Sequence, residues 1–264
     1  MVRVPYSNSS IHQSVALAVA LETSVSGRSK LSNSLLETRS STSRSASSVV
    51  DRTIKLTRNM SFQAAAASGA ARITVGRMTL FIGTNQVTKL NQDPIVLAYE
   101  GSRLKWANTK YETTGADGRG YGLFYNGKQL YAAFSVDGTQ GQPNQDFRRV
   151  SGGATQPWLR SYGNGGGPKV AVVARLDPAN GKLLSAVYLS AINNGKSNSF
   201  VVKGMNMSGN NLWVNGLSYF APRKLDGAPM QQIDQTKKSP FSYNITLTPD
   251  LKTALRVSAV GWRV

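Results

Sequence analysis

The chain has 264 residues, 31 Lys and Arg against 13 Asp and Glu, a formal net charge of +18, no cysteine and one histidine, His12. It therefore offers no thiol nucleophile, no histidine-based triad in its body and no Cys/His metal cluster. The excess of cation calls for an acidic partner, or keeps a lone protein in solution.

The length allows one large domain or two small ones, and a core that needs no disulfide. No apolar run reaches the roughly 18–20 residues that span a bilayer. Val15–Leu21 is short for a signal-peptide core, only Arg3 precedes it as a basic residue, and Glu22 follows it. No cleaved leader is expected.

Residues 1–60 hold fifteen serines, one glycine and one proline, and eight Lys/Arg against three Asp/Glu give them +5. Ile11, Val15, Ala18, Val19 and Leu21 recur at helical spacing, with Ser9 or Ser10 placed to cap a short helix. Leu31, Leu35 and Leu36 mark a second short amphipathic piece. Ser40–Ser48 (SSTSRSASS) is of low complexity and is expected to be extended or mobile when free. Val49–Arg58 alternates, and Met60–Ala71 reads as a small-residue connector. Such patches are too small to build a core and suit docking on another protein. The expected division is a basic, Ser-rich docking arm and connector over 1–71, and a β-rich domain over 72–264.

From Arg72 the period becomes two. Arg72–Ile82 and Pro94–Tyr99 read as strands. Gly120–Gly138, Val170–Ala191, Phe200–Ala221 and Pro240–Trp262 each show an alternating strand, a polar turn and a second strand. Their turns are Asn126-Gly127, Asn180-Gly181, Gly209-Asn210 and Pro249-Asp250. Asn and Gly tolerate positive φ, which the tight hairpin turns require. The fold class is mainly β, an antiparallel hairpin-repeat domain, with a sandwich, a barrel and a propeller-like stack all open.

Candidate chemistry is sparse. Asp117-Gly118, Asp137-Gly138 and Asp226-Gly227 read as turns, since a calcium loop needs several oxygen ligands at close spacing. Asp146, Asp177, Asp234 and Asp250 are not paired by any pattern, and Asp177 and Asp250 adjoin prolines in turns. Gly163–Pro168 lacks the Gly-Lys-Ser/Thr of a phosphate loop. No catalytic, cofactor or metal residue is assigned, and no enzymatic activity is expected. Trp106, Trp158, Trp213 and Trp262 default to core packing, with Trp158 singled out as an exposed contact in a Gly/Pro-rich stretch.

The expected partner-binding residues follow from charge and apolar anchors. In the arm the cations are Arg3, Arg28, Lys30, Arg39 and Arg44, followed by Arg52, Lys55 and Arg58. The aliphatic anchors are Ile11, Val15, Val19, Leu31 and Leu35. In the β domain Arg148, Arg149 and Trp158 join them.

Residues 172–189 (VVARLDPANGKLLSAVYL) resemble a bacterial beta-propeller repeat, in which a strand ending in Leu-Asp precedes a Gly turn and a strand ending in Tyr-Leu. Phe200–Ser218 is similar to the second half of such a unit, and Gly118–Gly138 resembles β-rich proteins of cyanobacteria. The resemblance spans roughly residues 100–264. It implies a fold of repeated hairpins and no catalytic site. With the charge, it points to a non-enzymatic linker or scaffold that binds acidic proteins in a large assembly. Its most specific form is a phycobilisome-type light-harvesting linker, cytoplasmic or at the cytoplasmic face of the thylakoid or plasma membrane. A nucleic-acid-associated capsid-type protein with a basic arm is the second reading. Against it, the arm carries no Arg/Lys block and the β segments lack an aromatic-basic RNA-binding strand. A secreted glycan-binding β-repeat protein is the third.

Overall fold

The computed structural model describes residues 45–163 and 169–264. The chain enters the body as β1 (Ala46–Val49), an edge strand antiparallel to β6 (Asp117–Tyr125). Three antiparallel sheets follow. The first joins β2 (Ala71–Val75), β3 (Met78–Gln86), β4 (Gln92–Glu100) and β5 (Arg103–Asn108) in chain order. The central sheet adds β7 (Leu130–Asp137), β8 (Val170–Leu176) and β9 (Leu183–Leu189) to β1 and β6. The hairpin of β10 (Ala191–Asn193) and β11 (Lys196–Asn198) leads to the last sheet. That sheet is β12 (Phe200–Ser208), β13 (Asn211–Ser218), β15 (Phe241–Leu247) and β16 (Ala254–Ala259). The short β14 (Gln231–Gln232) pairs with β17 (Trp262–Arg263) beside it.

The sheets are layered, and the cores show how. Leu130, Ala132, Phe134 and Val136 of β7 pack with Ile73, Leu80, Ile82 and Val96 of the first sheet. Tyr131 and Ala133, of opposite parity on β7, pack with Val202, Leu212, Val214 and Ile245 of the last sheet. Successive strand residues point to opposite faces, so one strand feeds both cores. The central sheet is thus buried on both sides, and the expected hairpin repeat takes the form of stacked sheets built from paired hairpins.

Each end of the stack is closed differently. The outer face of the first sheet is covered by Ile54, Leu56 and the helix α1 (Phe62–Ala67). Ser61 caps α1 by accepting from the Ala64 N–H at 3.2 Å. The last sheet needs no cover: strand β13 alternates partly exposed and buried residues along its length. Asn206, Trp213, Asn215, Asn244 and Thr246 fall on its outward parity. A polar outer face on a terminal layer stops further stacking.

Close approach of the first sheet to the central sheet on one side and to its cover on the other depends on glycine. A Cβ on Gly120 would lie 2.4 Å from Ile82 Cγ1, and one on Gly83 would lie 2.5 Å from the Ile54 carbonyl oxygen.

All four expected hairpin turns form, with positive φ at Gly127, Gly181 and Gly209, and at Leu251 in the fourth. Two local expectations change. Arg72–Ile82 is two strands, turned at Gly76 (φ 61°) and Arg77. The small-residue connector over 60–71 contains α1, and the β body reaches back to Ala46. Polar serines conceal β1 because it lies at an edge, where Ser47 is exposed.

Candidate functional site

A cleft of about 600 Å³ is lined by Asn108, Lys110, Thr113, Asn144, Gln145, Arg149, Val150, Lys182 and Leu183. Among the described residues no carboxylate lines it. Its three cations come from separate segments. Lys110 follows β5, Arg149 lies on the short helix α2 (Arg148–Ser151), and Lys182 ends the β8–β9 turn.

Each segment is held in place. Asp177 builds the β8–β9 turn: its carboxylate accepts from Ala179 N at 2.9 Å and from Asn180 Nδ2 at 2.8 Å. Asn180 Oδ1 then accepts from the Lys182 N–H at 2.9 Å. The turn is fastened to the rest by its Gly181 carbonyl, which accepts from Asn108 Nδ2 at 2.8 Å and Tyr111 Oη at 2.9 Å. Gly181 has φ 71° and lies against Trp106, which a Cβ would approach to 2.5 Å. No other residue type suits both demands.

Arg149 is oriented by backbone. Its guanidinium donates to the Tyr111 carbonyl at 3.0 Å, the Asp146 carbonyl at 2.8 Å and the Lys110 carbonyl. Burial lowers its pKa from the usual value, opposed by nearby Asp146. A guanidinium fixed by carbonyl oxygens keeps its charge, where a carboxylate would neutralise it. Arg148 differs. It clasps Asp146 through Nε at 3.0 and 2.9 Å and through a terminal nitrogen at 2.7 Å. The expected Arg148-Arg149 pair therefore divides: one cation is matched by a carboxylate and the other faces the cleft.

Behind the cleft lies a buried polar cluster. Glu112 is 2% exposed; its Oε1 accepts from the Thr114 N–H at 2.8 Å and from the Thr114 hydroxyl. Its Oε2 is buried without a hydrogen-bond partner among the described residues. Burial pushes the Glu112 carboxyl up to about 7, opposed by the Thr114 bonds and reinforced by Asp93 and Asp146. Asp93 rises to about 6, chiefly through burial, with Asn91 opposing and Asp117 adding. The gap enclosed by Glu112, Asp146, Tyr162 and Tyr188 has no volume that a water-sized molecule enters. A perturbed carboxyl beside a second carboxylate resembles an acid–base pair. Here the carboxyls are enclosed by the packing around them, and the cluster joins the segments behind the cleft.

The other sequence candidates have placed roles. Asp117 and Asp137 face each other across β6 and β7, and Arg119 pairs with both at 3.0 Å. Asp226, Asp234 and Asp250 accept from the backbone N–H groups of Ala228, Thr236 and Lys252, as turn residues do. Trp158 is not the exposed contact expected. Its Nε1 donates to the Leu225 carbonyl at 3.0 Å, Arg223 lies 5.6 Å over its ring, and Gly227 abuts it. Trp106 and Trp262 pack against cores as expected, whereas Trp213 belongs to neither core and lies on the outer face of the last sheet.

Arg52, Lys55 and Arg58 are exposed on the segment that covers the first sheet. The other arm residues named from the sequence lie outside the described residues: Arg3, Ile11, His12, Val15, Val19, Arg28, Lys30, Leu31, Leu35, Arg39 and Arg44, with most of the 163–168 loop. Sequence reasoning missed Lys110 and Lys182 because they sit far apart in the chain. The Asn180-Gly181 turn signal was the one clue to Lys182. Among the described residues no group of three or more His, Asp or Glu is placed to hold a metal, and no helix is long and apolar enough to cross a membrane. No family model, curated protein or solved structure matches the chain.

Proposed function

We propose that this protein is a non-enzymatic binding and scaffolding module that docks on acidic partners in a larger assembly. One observation carries the reading: the acidic residues of the described segments are engaged within the fold, while most of the basic ones are not. Asp177, Asp226, Asp234 and Asp250 shape turns. Asp93 and Glu112 are buried. Asp51, Glu100, Asp117, Asp137 and Asp146 meet Lys203, Arg77 with Lys105, Arg119 and Arg148. Other cations, among them Lys110, Lys128, Arg149, Lys182, Lys196 and Lys252, make no ion pair among the described residues. The outward field is therefore positive, which speeds encounter with an acidic surface and sets orientation.

The narrower form is a linker joining acidic light-harvesting proteins, and it rests on the charge and the repeat resemblance. The test is native extraction of the full chain at low and high salt, followed by gradient sedimentation with and without nuclease. Co-migration with acidic proteins, lost at high salt and unaffected by nuclease, supports the reading. Release by nuclease supports a nucleic-acid partner. A chain that sediments alone at low salt overturns both.

A further inference from the structure

We propose that the cleft between Lys110, Arg149 and Lys182 binds a sugar that carries a sulfate or phosphate ester. The site is local and does not depend on the docking of an acidic partner. Three cations converge from three segments on one cleft, with no carboxylate among the described residues that line it. Bringing like charges together is unfavourable unless an anion answers them, and the fold holds in place the segments that carry them. The Lys182 turn is fastened through Gly181 to Asn108 and Tyr111, and Arg149 is fixed by three carbonyl oxygens. A guanidinium held in this way meets an oxyanion with little ordering of its own, and the two exposed lysines reach the same cleft.

The rest of the lining selects what carries the anion. The Asn144 and Gln145 side chains make no hydrogen bond among the described residues, and Thr113 retains acceptor capacity after donating to the Gln145 carbonyl at 3.0 Å. Amide and hydroxyl groups read sugar hydroxyls. Among the described residues no aromatic ring lines the cleft, so a nucleobase finds no stacking platform on them. A volume of about 600 Å³ accommodates one or two sugar rings with an ester group.

The experiment is calorimetric titration of the full chain with glucose 6-phosphate and glucosamine 6-sulfate, against glucose, inorganic phosphate and inorganic sulfate. The expected result is saturable binding of at least one ester, at least tenfold tighter than the corresponding inorganic ion. Lys110→Gln with Lys182→Gln, both exposed positions, is expected to weaken it at least tenfold. Lys128→Gln with Lys196→Gln, which removes the same charge elsewhere, is expected to leave it within twofold. The proposal is overturned if neither ester binds, if the inorganic ion binds as tightly as its ester, or if the two variants lose affinity equally. Whether sulfate or phosphate is the native ester is read from which titrant binds more tightly.

Discussion

The Tyr111 hydroxyl donates to the Gly181 carbonyl oxygen at 2.9 Å, across 70 residues of chain, and so ties the β8–β9 turn to the segment leaving β5. Tyr111 is fully buried, and burial pushes its phenol well above the usual value, so the hydroxyl stays a donor. Tyr111→Phe removes this bond while Asn108 still serves the same carbonyl. A net hydrogen bond is worth about 1 kcal/mol, and the expected loss is of that size in urea denaturation. A larger effect belongs to cleft geometry: Lys182 is no longer held from two sides. An unchanged midpoint would mean that the Asn108 bond alone fastens the turn.

Much of this architecture is legible in the sequence, and the gaps have physical causes. Hairpin turns are local, and the requirement for positive φ shows directly in Asn126-Gly127 and Asn180-Gly181. Burial on two faces is not local. Strand β8 (VAVVARL) is buried at nearly every position because sheets lie on both sides, so the pattern that marks it as a strand does not tell that both of its faces are covered. The cleft was invisible for a related reason. Lys110, Arg149 and Lys182 meet only after three segments pack, and charge conveys no spacing signal. The expected division at residue 72 leaves out β1 and the cover of the first sheet, because these are built largely from small and polar residues with few apolar anchors.

Stability should fall as pH rises toward neutrality. Glu112 and Asp93 have folded pKa values of about 7 and about 6, raised from 4.5 and 3.8. Between the unfolded and folded values the native state holds protons that the unfolded chain has released. Stability therefore declines with increasing pH through this window and levels off above about 7. Glu100 and Asp234 act in the opposite sense, held low by bonds from Arg77 and Thr236, but their window lies below pH 4.5. The urea midpoint is expected to be higher near pH 5 than near pH 8. Glu112→Gln, which keeps the shape of the protonated acid, should flatten most of that slope; a slope retained in full would place the titration elsewhere.

Arg119 holds two carboxylates that the register sets against each other. Asp117 and Asp137 are paired residues of β6 and β7, and like charges directly opposite destabilise a sheet. Arg119→Met leaves that repulsion uncompensated and removes two charged hydrogen bonds, at a cost of roughly 2–3 kcal/mol. Adding Asp137→Asn should recover a measurable part of the loss. Failure of the second change to recover any stability would assign the effect to packing of the arginine stem.

The body should need residues 45–71 and tolerate removal of residues 1–44. A chain beginning at Ser45 keeps β1 on the central sheet and keeps the cover of the first sheet. That cover is specific: Leu56 N–H donates to the Thr84 carbonyl and Thr84 N–H to the Ile54 carbonyl, both at 2.9 Å. Tyr99 Oη donates to the Met60 carbonyl at 2.6 Å, and Phe62 packs edge-on against Phe81 and Tyr99 at 5.8 and 5.7 Å. A chain beginning at Arg72 exposes Phe81, Ile95, Leu97 and Tyr99, each now no more than 1% exposed. Burial of a large apolar side chain is worth about 1.5–3 kcal/mol, so baring several at once outweighs the usual margin of roughly 5–15 kcal/mol or comes close to it. The longer chain is expected to be monomeric with a cooperative urea transition. The shorter one should aggregate or bind a hydrophobic dye. A soluble, cooperatively unfolding chain from Arg72 would show that the first sheet does not depend on its cover.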